Sequence, residues 1–223
     1  MTTSTGIDTR EMVVVHTAFR REMGAAADLV RGVAAGDRTR ARVVADHVGL
    51  LLEMLHHHHV GEDDLLWPKL LERVPQELTA TVLLMESQHE LIAGELEAAQ
   101  AALPSWRAAA GVTVRERLAA ALERLQPLLV EHLAAEEQEI LPLAARALTQ
   151  QEWDELGERG MAGIPKAKLP MVFGMLMADG DPEVLRAMIA HAPLVPRLVV
   201  PRIAPRAYGR YTRQVYGVPR QGG

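Results

Sequence analysis

Two stretches of this 223-residue chain concentrate the residue types best suited to chemistry. The first is His56-His57-His58-His59-Val60-Gly61-Glu62-Asp63-Asp64-Leu65-Leu66-Trp67-Pro68, and the second is Glu131-His132-Leu133-Ala134-Ala135-Glu136-Glu137-Gln138-Glu139-Ile140-Leu141-Pro142. In each, a glutamate follows a histidine by four positions (His58 and Glu62, His132 and Glu136), and a proline follows that histidine by ten. Positions i and i+4 lie one above the other on a helix, so each stretch aims an imidazole and a carboxylate at one point. His16 and His89 occur within similar apolar periodicities, 42 residues before His58 and 43 before His132. Each has a methionine four residues before it and a glutamate six after.

Ionisable side chains on an apolar stripe are costly unless they pair or ligate a metal. Six imidazole and carboxylate ligands exceed the four that zinc usually takes. They suit two first-row metals: His16 and His58 on one, His89 and His132 on the other, with Glu62 and Glu136 spanning both. Nitrogen-rich, sulfur-free ligation with open positions points to iron first, and to manganese or zinc after it. Such a pair would keep room for a bridging oxygen and one small ligand.

Four consecutive histidines sweep most of the way round a helix, so His56 to His59 cannot all face inward. His58 is best placed, His57 and His59 are candidates for supporting the ligands, and His56 faces solvent. Glu86 and Glu90 flank His89 and are expected to orient it. Asp63, Asp64, Glu137 and Glu139 read as a solvated acidic flank. His47 shares the stripe of His58 but lies about 16 Å away along the helix, as a satisfied core histidine. His191 reads as incidental.

The elements that must position these residues are helices. Ala, Leu, Glu and Arg abound while aromatics make up 4% of the chain, which favours helix over sheet. A first helix is expected from about Thr9 to Ala35, ending at Gly36, and a second is capped by Asp37 and disturbed near Pro68. Val74-Pro75 opens a third that runs to about Leu103, and Pro104 to Gly111 reads as a loop. A fourth begins at the Thr113-Val114-Arg115-Glu116 capping box. The repeated hairpins predict an all-α fold: an antiparallel up-down four-helix bundle over residues 1–148.

Residues 149–223 read as a helical extension, packed on the bundle or on a partner subunit. It holds all three tyrosines, Tyr208, Tyr211 and Tyr216, and recurrent prolines. Arg197, Arg202, Arg206, Arg210 and Arg213 have no nearby acid and either touch an anionic surface or lie over an apolar one. The formal charge of -5 gives no reason to expect a nucleic-acid partner. The absence of cysteine excludes disulfides and thiolate metal sites. Met1 to Asp8 shows no signal pattern and no apolar run approaches the roughly 20 residues of a membrane span, so a cytoplasmic protein is expected.

His16, then His58-His59-Val60-Gly61-Glu62-Asp63, His89-Glu90, and His132-Leu133-Ala134-Ala135-Glu136-Glu137 together resemble the hemerythrin-like, or HHE cation-binding, family over about residues 9–148. That resemblance implies a four-helix bundle around a non-haem di-iron centre, its irons joined by an oxo or hydroxo bridge. It further implies binding or sensing of O2 or NO, handling of peroxide, or iron homeostasis. The oxygen carriers of the family have a further histidine four residues after the one on the third helix, where this chain has Ala93. The departure implies a more open, less symmetric centre, unless Glu86, Glu90 or a histidine of the 56–59 run takes the place. The reading is a protein that binds, senses or detoxifies a small oxidant or gas, O2, NO or peroxide. A homodimer is compatible with it. The alternatives are a di-iron oxidase or oxygenase acting on an organic substrate, and iron storage. If the chain is an enzyme, it would be a peroxide-decomposing or O2-dependent oxidoreductase.

Overall fold

The computed structural model describes residues 6–190 and 194–217; His191 and the first five residues lie outside them. Among the described residues the regular structure is entirely helical. Helix α1 (Arg10–Arg31) and helix α2 (Arg38–Gly61) form a first hairpin; α3 (Trp67–Arg73) continues α2 beyond a single π-helical turn, Glu62–Leu66. Helix α4 (Pro75–Ala109) and helix α5 (Val112–Ala135) form a second hairpin, continued as α6 (Leu141–Ala147) beyond another π-helical turn, Glu136–Ile140. Helix α1 packs on α2 and α5, and α4 packs on the same two helices, so the four long helices close a ring round one apolar core.

Local chemistry sets the boundaries. Asp37 caps α2, its Oδ1 accepting from the Arg40 N–H at 2.9 Å, after Gly36 has turned the chain at φ +78°. The two hairpin turns meet at one end of the ring, where the Gly36 N–H donates to the Ala110 carbonyl at 3.0 Å. Helix α1 ends four residues short of the expected Ala35. The expected loop from Pro104 to Gly111 is instead the last turn of α4. Trp106 is fully buried there, and Ala110, in the left-handed conformation, closes the helix by donating to the Trp106 carbonyl. Anchoring of that indole outweighs the one hydrogen bond that Pro104 denies the helix.

Both π-helical turns begin at the glutamates singled out above. The Trp67 N–H reaches back five residues to the Glu62 carbonyl, and the Leu141 N–H to that of Glu136. Pro68 and Pro142 lie just beyond. A proline ring excludes the carbonyl four residues earlier, and the wider turn accommodates that exclusion without breaking the helix.

The rest of the chain folds back along this ring. Helix α7 (Gln150–Met161) starts at the Thr149–Glu152 capping box and packs on α2 and the first π-helical turn. Helices α8 (Leu169–Met177) and α9 (Pro182–Ala190) lie against α1, and α10 (Leu194–Tyr216) covers α8 and reaches α2. Gly174 makes the close approach of α8 and α10 possible: a Cβ there would sit 2.3 Å from the Ala204 carbonyl oxygen. Arg202, Arg206 and Arg210 are exposed and donate to carbonyls of α10 one turn back. No helix among the described residues is long and apolar enough to cross a membrane.

Candidate metal centre

His16 on α1, His58 and His59 on α2, His89 on α4 and His132 on α5 converge at the end of the ring opposite the hairpin turns, together with Glu62 and Glu136. All seven are buried, and both glutamates are wholly inaccessible. Their donor atoms form two sets, each within 4.8 Å: His16, His58, Glu62 and Glu136 in one, and His59, Glu62, His89 and His132 in the other. Glu62 belongs to both. Glu136, expected to span both, groups only with the first.

Distances between donors are those of ligands turned toward a shared point. His16 Nε2 and His58 Nε2 are 3.2 Å apart, and His89 Nε2 and His132 Nε2 3.1 Å apart. Two donors each about 2.1 Å from one cation, at right angles, would be about 3.0 Å apart. Glu62 Oε1 lies 3.2 Å from His58 Nε2, and Glu136 Oε2 the same distance from His16 Nε2. Even so, all four carboxylate oxygens and His59 Nε2 are buried without a hydrogen-bond partner. Five unsatisfied buried polar atoms within one cluster are costly in a protein core. A pair of cations would satisfy all of them, so the residues present fit the group that their chemistry implies.

The outward nitrogens of three rings are anchored. His16 Nδ1 is 2.9 Å from Glu137 Oε1, which also accepts from Arg20. His89 Nδ1 is 2.7 Å from Asp63 Oδ1, which also accepts from the Trp67 indole. His132 Nδ1 is 3.2 Å from Gln88 Oε1. A proton held on each Nδ1 by these acceptors leaves the Nε2 lone pair facing inward, the arrangement that orients metal-binding imidazoles.

Several expectations need correction. Glu86 and Glu90 are exposed, and the groups that orient His89 and His132 are Asp63 and Gln88. Asp63 and Glu137, read as solvated flank, are those anchors in part. His57 turns away from the cluster and packs against Gly163, where a Cβ would lie 2.3 Å from its Nε2. His59, expected to support the ligands or, as one of the 56–59 run, to take the place left at Ala93, offers a donor of its own. Its ring stacks on His89 with centroids 4.3 Å apart. On α4, Ala93 is exposed, and a histidine from α2 completes the second set.

Charge divides the imidazoles. Burial opposes protonation of His16, but Glu136 and Glu137 outweigh it and raise its pKa to about 9. His89 rises to about 9 in the same way, Asp63 and Glu62 outweighing burial. Burial and the neighbouring positive rings push His58 and His132 down to about 3, and His59 well below its usual value. Burial and the nearby Glu136 raise Glu62, whereas His16 holds Glu136 down against its burial.

Beside His58, on the face covered by the extension, lies a cavity of about 120 Å³. Phe19 and Met54 line it from the ring, and Trp153, Leu156, Val172 and Leu176 line it from α7 and α8. Tyr208 and Tyr211 do not. They belong to a second buried polar cluster in which the Tyr208 hydroxyl donates to Glu22 at 2.6 Å and that of Tyr211 meets His47 at 2.9 Å.

The sequence model of the hemerythrin HHE cation-binding domain matches residues 8–144. The chain belongs to this family. No curated protein and no solved structure matches it.

Proposed function

We propose that this chain is a hemerythrin-like di-iron protein that binds, senses or removes a small oxidant or gas, O2, NO or peroxide, at the buried His/Glu cluster. In this reading residues 8–144 are the four-helix bundle of that family, and the following helices are its lid. The carrying observation is the set of buried carboxylate oxygens and the His59 nitrogen, crowded by imidazoles but without a hydrogen-bond partner. The ligands would be His16, His58, Glu62 and Glu136 for one ion, and His59, His89, His132 and Glu62 for the other. Sulfur-free nitrogen and oxygen donors favour iron over softer metals. Bound iron would supply coordination of, and electrons to, the incoming molecule.

The chain's own residues do the rest. Glu137, Asp63 and Gln88 hold the imidazole tautomers, so that each Nε2 presents a lone pair. Glu62 and Glu136 offset the positive charge in a site they share with no solvent. Phe19 and Met54 place apolar groups beside His58 in the wall of the adjoining cavity. The test is to purify the protein anaerobically, count its metals, and follow the visible spectrum as O2, NO and peroxide are added in turn. Stable ligand-dependent spectra mark a binder or sensor, and repeated consumption of peroxide marks an enzyme. A chain that takes up no iron contradicts the proposal.

A second reading, oxidation of an organic molecule, draws support from the apolar cavity against His58. Consumption of O2 that depends on an added organic compound distinguishes it.

A further inference from the structure

The cavity beside His58 has a composition that the capture of a diatomic gas does not require. It is several times larger than such a molecule needs, given that a water-sized ligand fits in roughly 10–15 Å³. Its walls come from two parts of the chain, with α1 and α2 on one side and α7, α8 and α9 on the other. Four methionines, Met12, Met54, Met161 and Met188, give it adaptable apolar walls. The polar groups at its edge are few, and the His58 imidazole leads from it directly to the first His/Glu set.

Gly157 and Gly160 add no side chain at the α7 wall of the cavity. Both lie on this cavity in α7, and a Cβ at either would meet nothing within 4 Å. Neither has a positive φ that would demand glycine. Glycine weakens a helix interior, so two in a twelve-residue helix work against its own stability.

We infer that this cavity is a binding site for a small apolar organic molecule of about one six-membered ring, held between the ring of helices and the extension, with one edge against His58. An apolar cavity of about 150 Å³ is known to stay dry and accept benzene. The site described here is of similar size and mainly apolar, with Glu11 and His58 at its border. As an account of what meets the metal centre, the inference rests on the function proposed above; as a binding event it needs no metal.

Toluene is the probe, added to the full chain both without metal and after anaerobic loading with ferrous iron, and read through the methionine methyl resonances. Saturable shifts confined to Met12, Met54, Met161 and Met188 are expected, with Met85 unmoved. Gly160→Leu should fill the space and weaken binding by about tenfold or more, with the circular dichroism spectrum retained. Leu156→Ala should enlarge it and admit naphthalene, which the unaltered protein excludes. In the iron-loaded protein exposed to O2, toluene should also perturb the visible spectrum through His58. Absence of saturable methyl shifts overturns the inference, as does toluene binding that neither variant alters. Failure to load iron while the methyl shifts persist overturns the metal-centre proposal and leaves this one standing.

Discussion

Two buried polar clusters sit in the same ring of helices, and they treat their charges in opposite ways. Around Glu22, every charge is answered: its carboxylate accepts from Arg21 Nε at 2.8 Å, from Tyr208 at 2.6 Å and from Tyr216 at 2.5 Å. His47 completes that cluster through Tyr211 and Tyr216. Around Glu62 and Glu136, imidazoles crowd the carboxylates at 3.2 Å and the oxygens remain unsatisfied. A satisfied network rigidifies what it joins, and here it ties α10 to α1 and α2. An unsatisfied one retains demand for a cation. Burial of a carboxylate is common to both; completeness of pairing separates a lock from a site.

Substitutions should expose that difference, and the largest effect falls on the shared ligand. Glu62→Ala removes a donor from both sets and is expected to abolish metal uptake, as measured by elemental analysis after anaerobic reconstitution. Full metal content would show that the two sets do not depend on it. Glu22→Ala should act on the other axis. It leaves Tyr208 and Tyr216 without their carboxylate, while Arg21 keeps Asp179 and the Met175 carbonyl, and should cost about 1–3 kcal/mol in chemical denaturation, with the metal count unchanged. Loss of metal in that variant would mean that the clusters are one unit.

Asp63→Asn comes next. It weakens the anchor of His89 and should reduce metal affinity about 10–100-fold in competition with a chelator. An unaltered affinity would return Asp63 to the role of a solvated surface acid.

Acidity separates the clusters without mutation. His16 and His89 have folded pKa values of about 9, raised above an unfolded value of about 6.5. Their stabilisation of the metal-free protein is therefore complete below about pH 6.5 and lost as pH rises through 9. Metal requires neutral imidazoles, so uptake releases these protons and removes the alkaline loss. Thermal midpoints with and without ferrous iron should diverge between pH 6.5 and 9. Parallel curves would show that the two rings carry no extra proton. The smallest effect belongs to Tyr216→Phe, which leaves Glu22 with two donors and should cost about 1 kcal/mol in denaturation, with no spectral consequence.

The six residues that sequence spacing nominated do meet at one place, because repetition of histidine, glutamate and proline at fixed separations survives any error in helix boundaries. His59 was legible as a donor only as one of several substitutes for the histidine missing at Ala93. Adjacent helical side chains diverge by about 100°, and assigning one inward face to α2 rules the neighbour out. In the fold, the rings of His58 and His59 both reach the interior, their centroids 5.5 Å apart. That Asp63, though solvent-exposed, and Glu137 also anchor imidazoles was missed for a different reason. Each immediately follows the first residue of a π-helical turn, where the extra residue rotates side chains away from the directions of a regular wheel. The cavity beside His58 was illegible as well, since it depends on how α7 to α9 return to the ring.

The most direct measurement is the ferrous stoichiometry of the unaltered chain beside that of His59→Ala, titrated anaerobically to saturation. Two donor sets sharing Glu62 predict two irons per chain, and one fewer once His59 is gone while the set of His16, His58 and Glu136 keeps its own. Retention of both irons by the variant, or uptake of none by the unaltered protein, would contradict the account.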